Sequence, residues 1–173
     1  MKGFFNQLLR INLSKQKYTV EALPESILRS YLGGKGLGSY LLLEENSPHV
    51  DPFSPENRVI ITLGPLADTP FYGSSRYAVF TKSPQTGIYS ESYSGGKITH
   101  SLSRTGYDAI IIEGRSRYPV LLDISDKEIL FHAASNLWGK TRMRQKRPSS
   151  RGRAEILVPW SLVRPVRIWS NSP

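Results

Sequence analysis

Short apolar runs separated by turn residues occupy most of the first 141 residues. From Leu9 to Leu13 every second residue is apolar, which predicts a strand with one strongly apolar face, and residues 18–21 follow a polar turn as its hairpin partner. The other apolar or β-branched runs predict strands at residues 59–63, 77–81, 88–89, 110–113, 120–124 and 129–132. The run at residues 59–63 is almost entirely apolar, which predicts a central strand.

Three segments predict short helices, at residues 24–32, 39–45 and 97–105. The first opens at Pro24, and glycine-rich runs, GGKGLG at residues 33–38 and SGG at residues 94–96, lead directly into the other two. About eight strands and three helices without regular strand–helix alternation predict an α+β fold, a β-rich domain with two sheets, rather than a doubly wound sheet. The order of hairpin, glycine run and helix occurs twice, which suggests an internal duplication.

The chain of 173 residues contains no cysteine, which rules out disulfides and thiolate metal sites within it. Its length fits one domain, or one domain with a tail. No apolar run approaches the roughly eighteen residues of a membrane-spanning helix. The N-terminus is too short and too polar for a signal peptide. We therefore expect a cytoplasmic protein that does not associate with a membrane.

The formal net charge of +9 is concentrated at the C-terminal end. Residues 142–173 contain eight basic residues and one acidic residue, so they carry +7 of that charge. The 15 basic and 13 acidic residues that remain give residues 1–141 a net charge of +2. The first 141 residues are thus near neutral, and the charge says nothing about their function.

The two glycine-rich helix openings are the main chemical feature. Free backbone N–H groups at the start of a helix suit a phosphate, but a tight turn that needs a positive φ explains the same glycines more simply. We exclude a dinucleotide-binding fingerprint at residues 33–38 because a helix, and not a strand, precedes it. Nearby cationic side chains are Arg76, Lys82 and Lys97. These groups suit a phosphate or a polar heterocycle but do not suffice to make or break bonds.

Other candidates for catalysis are weak. The histidines have no metal-ligand spacing, and we interpret His49, His100 and His132 as ordinary surface or edge residues. Asp108 and Glu113 flank an isoleucine run and are interpreted as strand-end charges. We assign no catalytic residue.

The order of the motifs resembles the N-terminal domain of the aldehyde ferredoxin oxidoreductase family, whose members use tungsten or molybdenum bound to pterin. The matching segments are RINLS, GGKGLG, DPFSPEN, VIITLGPL, SSRYAVFTKSPQTG, the SGG opening of a helix, RTGYDAIIIEG and NLWGK. Together they cover residues 1–141 almost without a gap. No single segment is decisive, but the ordered set is specific.

The resemblance implies that residues 1–141 form a base for a bis-pterin cofactor, with a magnesium ion that bridges the pterin phosphates. Arg76 would bind a pterin phosphate, because a guanidinium fork matches the anion, and Gly95 would let backbone N–H groups approach it. Tyr93 stands where the family often has Asn and would offer its backbone carbonyl to magnesium. Residues 33–38 would form a second cofactor-facing loop. The remaining residues implied to face the cofactor are Gly33, Gly34, Lys35, Gly36, Ser94 and Gly96.

The activity that the resemblance implies is oxidation of an aldehyde to a carboxylic acid, with electrons passed through a 4Fe-4S cluster to ferredoxin. The cluster cysteines of the family, and most residues near its metal and substrate, lie in domains C-terminal to this one. Since this chain contains no cysteine, we expect it to hold the cofactor only in part and to be inactive without those domains. The resemblance is also compatible with a homodimer.

Beyond residue 141 the resemblance stops, and we interpret residues 142–173 as a basic tail produced by frameshifts. With suitable codons, skipping two nucleotides turns residues 142–149 into YETEKAI and residues 164–173 into AGENLVQFS, which resemble the continuation of the family. Residues 154–158 lie between them and have the composition of an original strand. Residues 142–153 and 159–173 would then never have been selected to fold.

The alternative is a different class of function: a stand-alone, non-enzymatic binding module whose basic C-terminal arm binds nucleic acid or an acidic partner. We favour it less than the frameshift interpretation. It predicts salt-dependent DNA binding that is lost when residues 142–173 are removed.

Overall fold

The structure, a computed structural model, describes residues 1–136, 153–158 and 167–169. The strands in these ranges are β1 (Gln7–Asn12), β2 (Lys17–Ala22), β3 (Val59–Leu63), β4 (Arg76–Lys82), β5 (Tyr89–Gly95), β6 (Ala109–Glu113), β7 (Val120–Ile124), β8 (Ile129–Ala133), β9 (Ala154–Val158) and β10 (Arg167–Trp169). The helices are α1 (Glu25–Tyr31), α2 (Gly34–Glu45) and α3 (Lys97–Ser103). None of these helices is long and apolar enough to cross a membrane.

Six strands form a mixed sheet in the order β2-β1-β6-β3-β4-β5. Among them β1 and β6 run parallel, and the other neighbouring pairs are antiparallel. A smaller antiparallel sheet has the order β10-β9-β7-β8. The predicted β-rich α+β fold with two sheets is confirmed, and the run that we predicted to be central forms the interior strand β3.

The large sheet buries apolar side chains on both of its faces. On one face Phe80 and Ile111 pack with Leu28 of α1 and Leu37 of α2. The other face packs against the small sheet and α3, in a core that includes Leu9, Ile11, Ile61, Leu102, Ile110, Ile112, Leu122 and Ile156. Because successive residues of a strand point to opposite faces, burial on both sides explains why β3 and β6 are apolar at almost every position.

Helix α2 begins at Gly34, inside the GGKGLG run, so the predicted loop conformation and the predicted helix start at Ser39 are wrong. That these residues face the cofactor stays a prediction. The glycines instead allow close packing of this helix. A Cβ atom on Gly36 would collide with the carbonyl group of the last residue of α1, and one on Gly38 would overlap the ring of Phe80. Neither contact can be deduced from local sequence, which is why the run looked like a loop.

The two large-sheet hairpins lie at opposite edges, β1–β2 at one and β4–β5 at the other. Each hairpin is followed by helix and then by a central strand, as the repeated order in the sequence suggested. However, β1 is parallel to its central neighbour β6, whereas β4 is antiparallel to its central neighbour β3. The two halves thus share the order of their elements but not the relative directions of their strands. The internal duplication stays a prediction.

Strand β9 lies in the basic tail and is a full member of the small sheet. Ala154 and Ile156 are fully buried, and the strand pairs with β7 along its whole length. Immediately before it, Arg153 donates hydrogen bonds to Asp123 at 2.7 Å and Glu128 at 2.8 Å. The prediction that residues 154–158 form a strand is thus confirmed, and their origin in the correct reading frame stays a prediction. The predicted boundary at residue 141 and most of the predicted frameshifted residues lie outside the described residues.

Candidate functional site

The end strand β5 presents a polar cluster on the face of the large sheet that carries α2. Tyr89, Glu91 and Tyr93 alternate along the strand and so share this face. The Tyr89 and Tyr93 hydroxyls donate to one Glu91 carboxylate oxygen, at 2.6 and 3.0 Å. Lys35, in the first turn of α2, donates to the other oxygen at 2.8 Å. The cluster therefore joins Lys35 and Tyr93, two of the predicted site residues, through a glutamate that the sequence did not single out.

The charges of this cluster compensate one another. The hydrogen bond from Lys35 lowers the pKa of Glu91, and the same contact raises the pKa of Lys35, so both groups remain ionised near neutral pH. Burial, followed by the contact with Glu91, raises the pKa of Tyr93. Lys35 is thus already paired with a carboxylate in this structure, and a phosphate would have to compete with Glu91 for it.

The rings of Tyr89 and Tyr93 rest on the buried ring of Phe80. The ring centroids lie 6.2 and 6.4 Å from that of Phe80, with tilted and edge-on geometry. Both tyrosines nevertheless remain close to half exposed, at 42% and 49%. The result is an aromatic surface beside the polar cluster, which suits a flat polar heterocycle.

The backbone carbonyl of Tyr93 points away from the sheet. The N–H of Ser83 donates to the carbonyl oxygen of Ile88 at 2.8 Å, so these opposed residues form a hydrogen-bonded pair. Hydrogen-bonded and non-hydrogen-bonded pairs alternate along antiparallel strands, which makes Tyr93, opposite Ala78, a non-hydrogen-bonded position. Its backbone groups face outward from the end strand, as do those of Gly95.

Arg76 and Gly95 are directly opposite each other where β4 begins and β5 ends. Arg76 is exposed, and its guanidinium has no hydrogen bond or ion pair with the described residues. A Cβ atom on Gly95 would lie 2.5 Å from the Ser75 carbonyl oxygen and 3.4 Å from Arg76 Cδ. Glycine is therefore required here by the close approach of the two strands, and its absence of a side chain leaves the Arg76 guanidinium open to solvent.

Gly96 adopts φ 87° and ψ -163°, a region that is essentially restricted to glycine. This conformation turns the chain from β5 into α3. The helix has seven residues, fewer than the predicted span of residues 97–105, so its dipole is short. The simpler explanation of the SGG run, a turn that needs a positive φ, accounts for Gly96, and an anion site here depends on Arg76.

The structure brings the predicted residues together in two groups. Arg76, Gly95 and Gly96 form one group, and Lys35 with Tyr93 forms the other, two residues before Gly95 on the same strand. Gly33 and Gly36 have packing roles; a Cβ atom on Gly33, for example, would lie 2.5 Å from the carbonyl oxygen of the last residue of β3. Gly34 has a φ of 51°, and a Cβ atom added to it would meet no atom within 4 Å, so only its backbone conformation favours glycine.

Two features escaped the sequence-based predictions. The spacing Tyr-x-Glu-x-Tyr in β5 was a usable signal for Glu91, because residues two apart on a strand share a face. His100, interpreted as an ordinary surface residue, lies 2.7 Å from Asp68 through its Nδ1 atom. Among the described residues, no three His, Cys, Asp or Glu side chains gather as a metal site.

Comparison with known proteins agrees with this architecture. A family model for the N-terminal domain of aldehyde ferredoxin oxidoreductase matches residues 8–151, ten residues beyond the predicted boundary at residue 141. A tungsten-containing aldehyde ferredoxin oxidoreductase of Thermococcus kodakarensis is 45% identical over 140 residues, which are 81% of this chain and 23% of that protein. The WOR-like subunit of an aliphatic sulfonate oxidoreductase of Pyrococcus furiosus is 33% identical, over 80% of this chain and 22% of that protein.

One solved structure carries the same fold. It is the active-site complex BamBC of benzoyl coenzyme A reductase with 1,5-dienoyl-CoA, with a TM-score of 0.78 and 35% sequence identity. The match covers 82% of this chain and 22% of that chain. This chain thus spans about a quarter of the length of the relatives that it matches.

Proposed function

The chain belongs to the aldehyde ferredoxin oxidoreductase family, and we propose on this basis that it is the cofactor-binding N-terminal part of an enzyme that oxidises aldehydes to carboxylic acids with ferredoxin as electron acceptor. The tungsten- or molybdenum-bis-pterin of such an enzyme supplies the two-electron oxidation when it is bound. This chain's contribution is to bind and orient the cofactor. The aldehyde, ferredoxin and any homodimer contact belong to the proposal for the whole enzyme.

The observation that carries the proposal is the open guanidinium of Arg76 beside the outward backbone groups of β5. Arg76 would bind a pterin phosphate through two parallel hydrogen bonds. The backbone N–H of Gly95 faces the same side, and the carbonyl of Tyr93 would bind the magnesium ion that neutralises the phosphates. These residues fit the cofactor because a cation, a donor and a hard oxygen ligand lie along one edge of the sheet.

The polar cluster on β5 would position the pterin ring. The exposed faces of Tyr89 and Tyr93 offer a stacking surface, and Glu91 and Lys35 offer an acceptor and a donor for the ring's polar edge. A 4Fe-4S cluster needs thiolate ligands, which this chain lacks, so other domains of the enzyme would hold it. This chain alone would therefore bind cofactor without catalysing the reaction.

Arg76→Ala is expected to weaken binding of a pterin monophosphate to the full chain by about 10- to 100-fold, because a charge-assisted hydrogen-bond pair contributes roughly 1.5–3 kcal/mol. Pterin fluorescence measures the affinity in the presence of magnesium. The same pterin without its phosphate should bind both proteins equally. Arg117→Ala, which removes an exposed arginine from the β6–β7 loop, is the control for net charge. Equal losses in both variants would refute a specific role for Arg76.

For the tail, we propose that residues between 141 and Arg153, and residues 159–173, are products of frameshifts. The contacts of Arg153 with Asp123 and Glu128 support an original reading frame that resumes by Arg153. The family match extends to residue 151 and therefore argues against a frameshift in the segment before Arg153. The coding DNA decides: the proposal requires codons that give YETEKAI and AGENLVQFS in the shifted frame, and codons that forbid these peptides would end it.

A further inference from the structure

Asp68, His100 and Ser75 form a chain of contacts that ends at Gly96. His100 Nδ1 lies 2.7 Å from Asp68 Oδ1, and His100 Nε2 lies 3.4 Å from Ser75 Oγ. The Ser75 hydroxyl in turn donates to the carbonyl oxygen of Gly96 at 3.0 Å. The chain of contacts thus links the β3–β4 loop to α3, and it ends at the glycine next to the proposed phosphate-binding residues.

The donors and acceptors of this chain match when His100 is doubly protonated. The ionised Asp68 accepts, so Nδ1 must carry a proton. The Ser75 hydroxyl has a single proton, which it gives to Gly96, so its oxygen can only accept from a protonated Nε2. With a neutral imidazole, the hydrogen bond between Ser75 and Nε2 could be kept only if Ser75 turned its proton toward Nε2 and released the Gly96 carbonyl.

Asp68 remains an ionised carboxylate that can pair with a cation. Arg104 donates to its Oδ2 atom at 2.8 Å, and this contact, together with the contact from His100, outweighs the opposing effect of burial and gives Asp68 a pKa below the usual range. The carboxylate therefore stays ionised throughout the pH range in which a histidine titrates. One of its oxygens contacts Arg104 most closely and the other contacts His100, so the carboxylate lies between the guanidinium and the imidazole ring.

A serine, a histidine and an aspartate in this order are also the groups of a hydrolytic triad. In such a triad the serine hydroxyl donates to the histidine, which removes its proton. Here the hydroxyl donates to a backbone carbonyl, and the Ser75–His100 contact is the longer of the two. The geometry therefore favours a positioning role over nucleophilic chemistry.

We propose that His100 is a positioning residue of the phosphate site: as an imidazolium it fixes Gly96 through Ser75, so that phosphate affinity depends on its protonation. The inference rests on the proposed function. Besides Asp68 and Arg104, the charged residues on its own helix and at the end of the β3–β4 loop are Lys97 and Arg76, and strand β9, which packs against α3, carries Glu155. Lysine, arginine and glutamate do not ordinarily change charge between about pH 5.5 and 7.5, so we assign the change in charge over this range to His100.

The test compares the full chain with its His100→Gln variant by titrating a pterin monophosphate, with magnesium present, between about pH 5.5 and 7.5. At the low end of this pH range the wild type is expected to bind the phosphate about 3- to 10-fold more tightly than His100→Gln. At the high end the two affinities should be equal. Because the phosphate itself gains charge near pH 6, the comparison is made between variants at each pH. His132→Gln, on strand β8, is the matched control and should behave as wild type.

Ser75→Ala is the second variant, because it cuts the link to Gly96 and leaves the Asp68–His100 pair in place. Like His100→Gln, it should bind the phosphate more weakly than the wild type at the low end of the pH range and equally well at the high end. The proposal would be overturned if the affinities of the wild type and His100→Gln differed by the same factor at every pH. It would also be overturned if Ser75→Ala kept the full wild-type pH dependence. The proposed function fails separately, if Arg76→Ala leaves phosphate binding unchanged. Imidazole nitrogen chemical shifts of the unliganded chain give a readout without any ligand: both nitrogens should be protonated at the low end of the range.

Discussion

Gly38→Ala is expected to destabilise the chain by about 3 kcal/mol or more, near the upper end of the cost of adding a group to a packed core. The added Cβ atom would overlap the ring of Phe80, which is fully buried between α2 and the large sheet. The ring has little room to move aside, because it is packed in a core that includes Leu37 and Ile111. Helix α2 must shift instead, and urea unfolding of the full chain will measure the loss.

A double-mutant cycle with Phe80→Leu isolates this steric cause. The smaller side chain leaves room for the alanine, so the two substitutions together should cost about 0.5–3 kcal/mol less than their separate costs added. Gly64→Ala is the matched control: no atom lies within 4 Å of its Cβ position, and we expect a change near zero. Additive costs for Gly38→Ala and Phe80→Leu would show that the alanine acts by some route other than the ring.

Most strands could be predicted from the sequence because their two faces are set by local patterning. Leu9 and Ile11 alternate with polar residues on the same strand, and β3 is apolar at almost every position because it is covered on both faces. The start of α2 could not be predicted in this way. Gly36 and Gly38 are glycines because of neighbours that the local pattern does not reveal, and a run of glycines without that knowledge indicates a loop.

The candidate site, too, contains some features that local sequence could predict and others that depend on distant neighbours. The resemblance to the family implied that Arg76 and Gly95 serve the same phosphate, but their positions opposite each other came from the structure. The Lys35–Glu91 pair joins residues 56 positions apart, and Asp68–His100 joins residues 32 apart, so the topology had to be known first. Strand β9 was recognised by composition, but its place between β7 and β10 was not. Long-range pairing, more than local conformation, was the missing information.

The second large effect is expected at a network of charges that joins β1, β2, α2, β3 and β6. Arg10 donates to Glu21 at 2.6 Å and to Glu45 at 2.8 Å, and Arg58 contacts both Glu45 and Glu113. The side chains of Arg10 and Glu45 are only 20% and 23% exposed. Arg10→Met keeps the aliphatic stem but leaves Glu45 and Glu113 with Arg58 alone and removes the arginine partner of Glu21. We expect a loss of about 2–4 kcal/mol in the free energy of unfolding, slightly below the range for a fully buried pair.

This network also predicts how stability changes with pH. The hydrogen bond from Arg10 lowers the pKa of Glu45 below its ordinary value of 4.5, so the unfolded chain takes up this proton first as the pH falls. The stabilisation is therefore complete above about pH 4.5 and is lost as the pH falls through the lowered pKa. Wild-type stability should decline more steeply than that of Arg10→Met in this window, and urea midpoints between about pH 3 and 7 will compare the two slopes.

Arg29→Met is the matched control for Arg10→Met, because it removes an arginine–glutamate pair of comparable geometry from an exposed position. Arg29 contacts Glu25 at 2.6 Å, but the two side chains are 68% and 49% exposed. Solvent screens such a pair, so the control should change stability little and leave the pH profile unaltered. If Arg10→Met proves as stable as the wild type, the attraction between the charges of the network only balances the free energy needed to remove them from water. In that case its role is to fix the relative positions of α2 and the large sheet, and thereby of Lys35 and β5, without a net gain in stability.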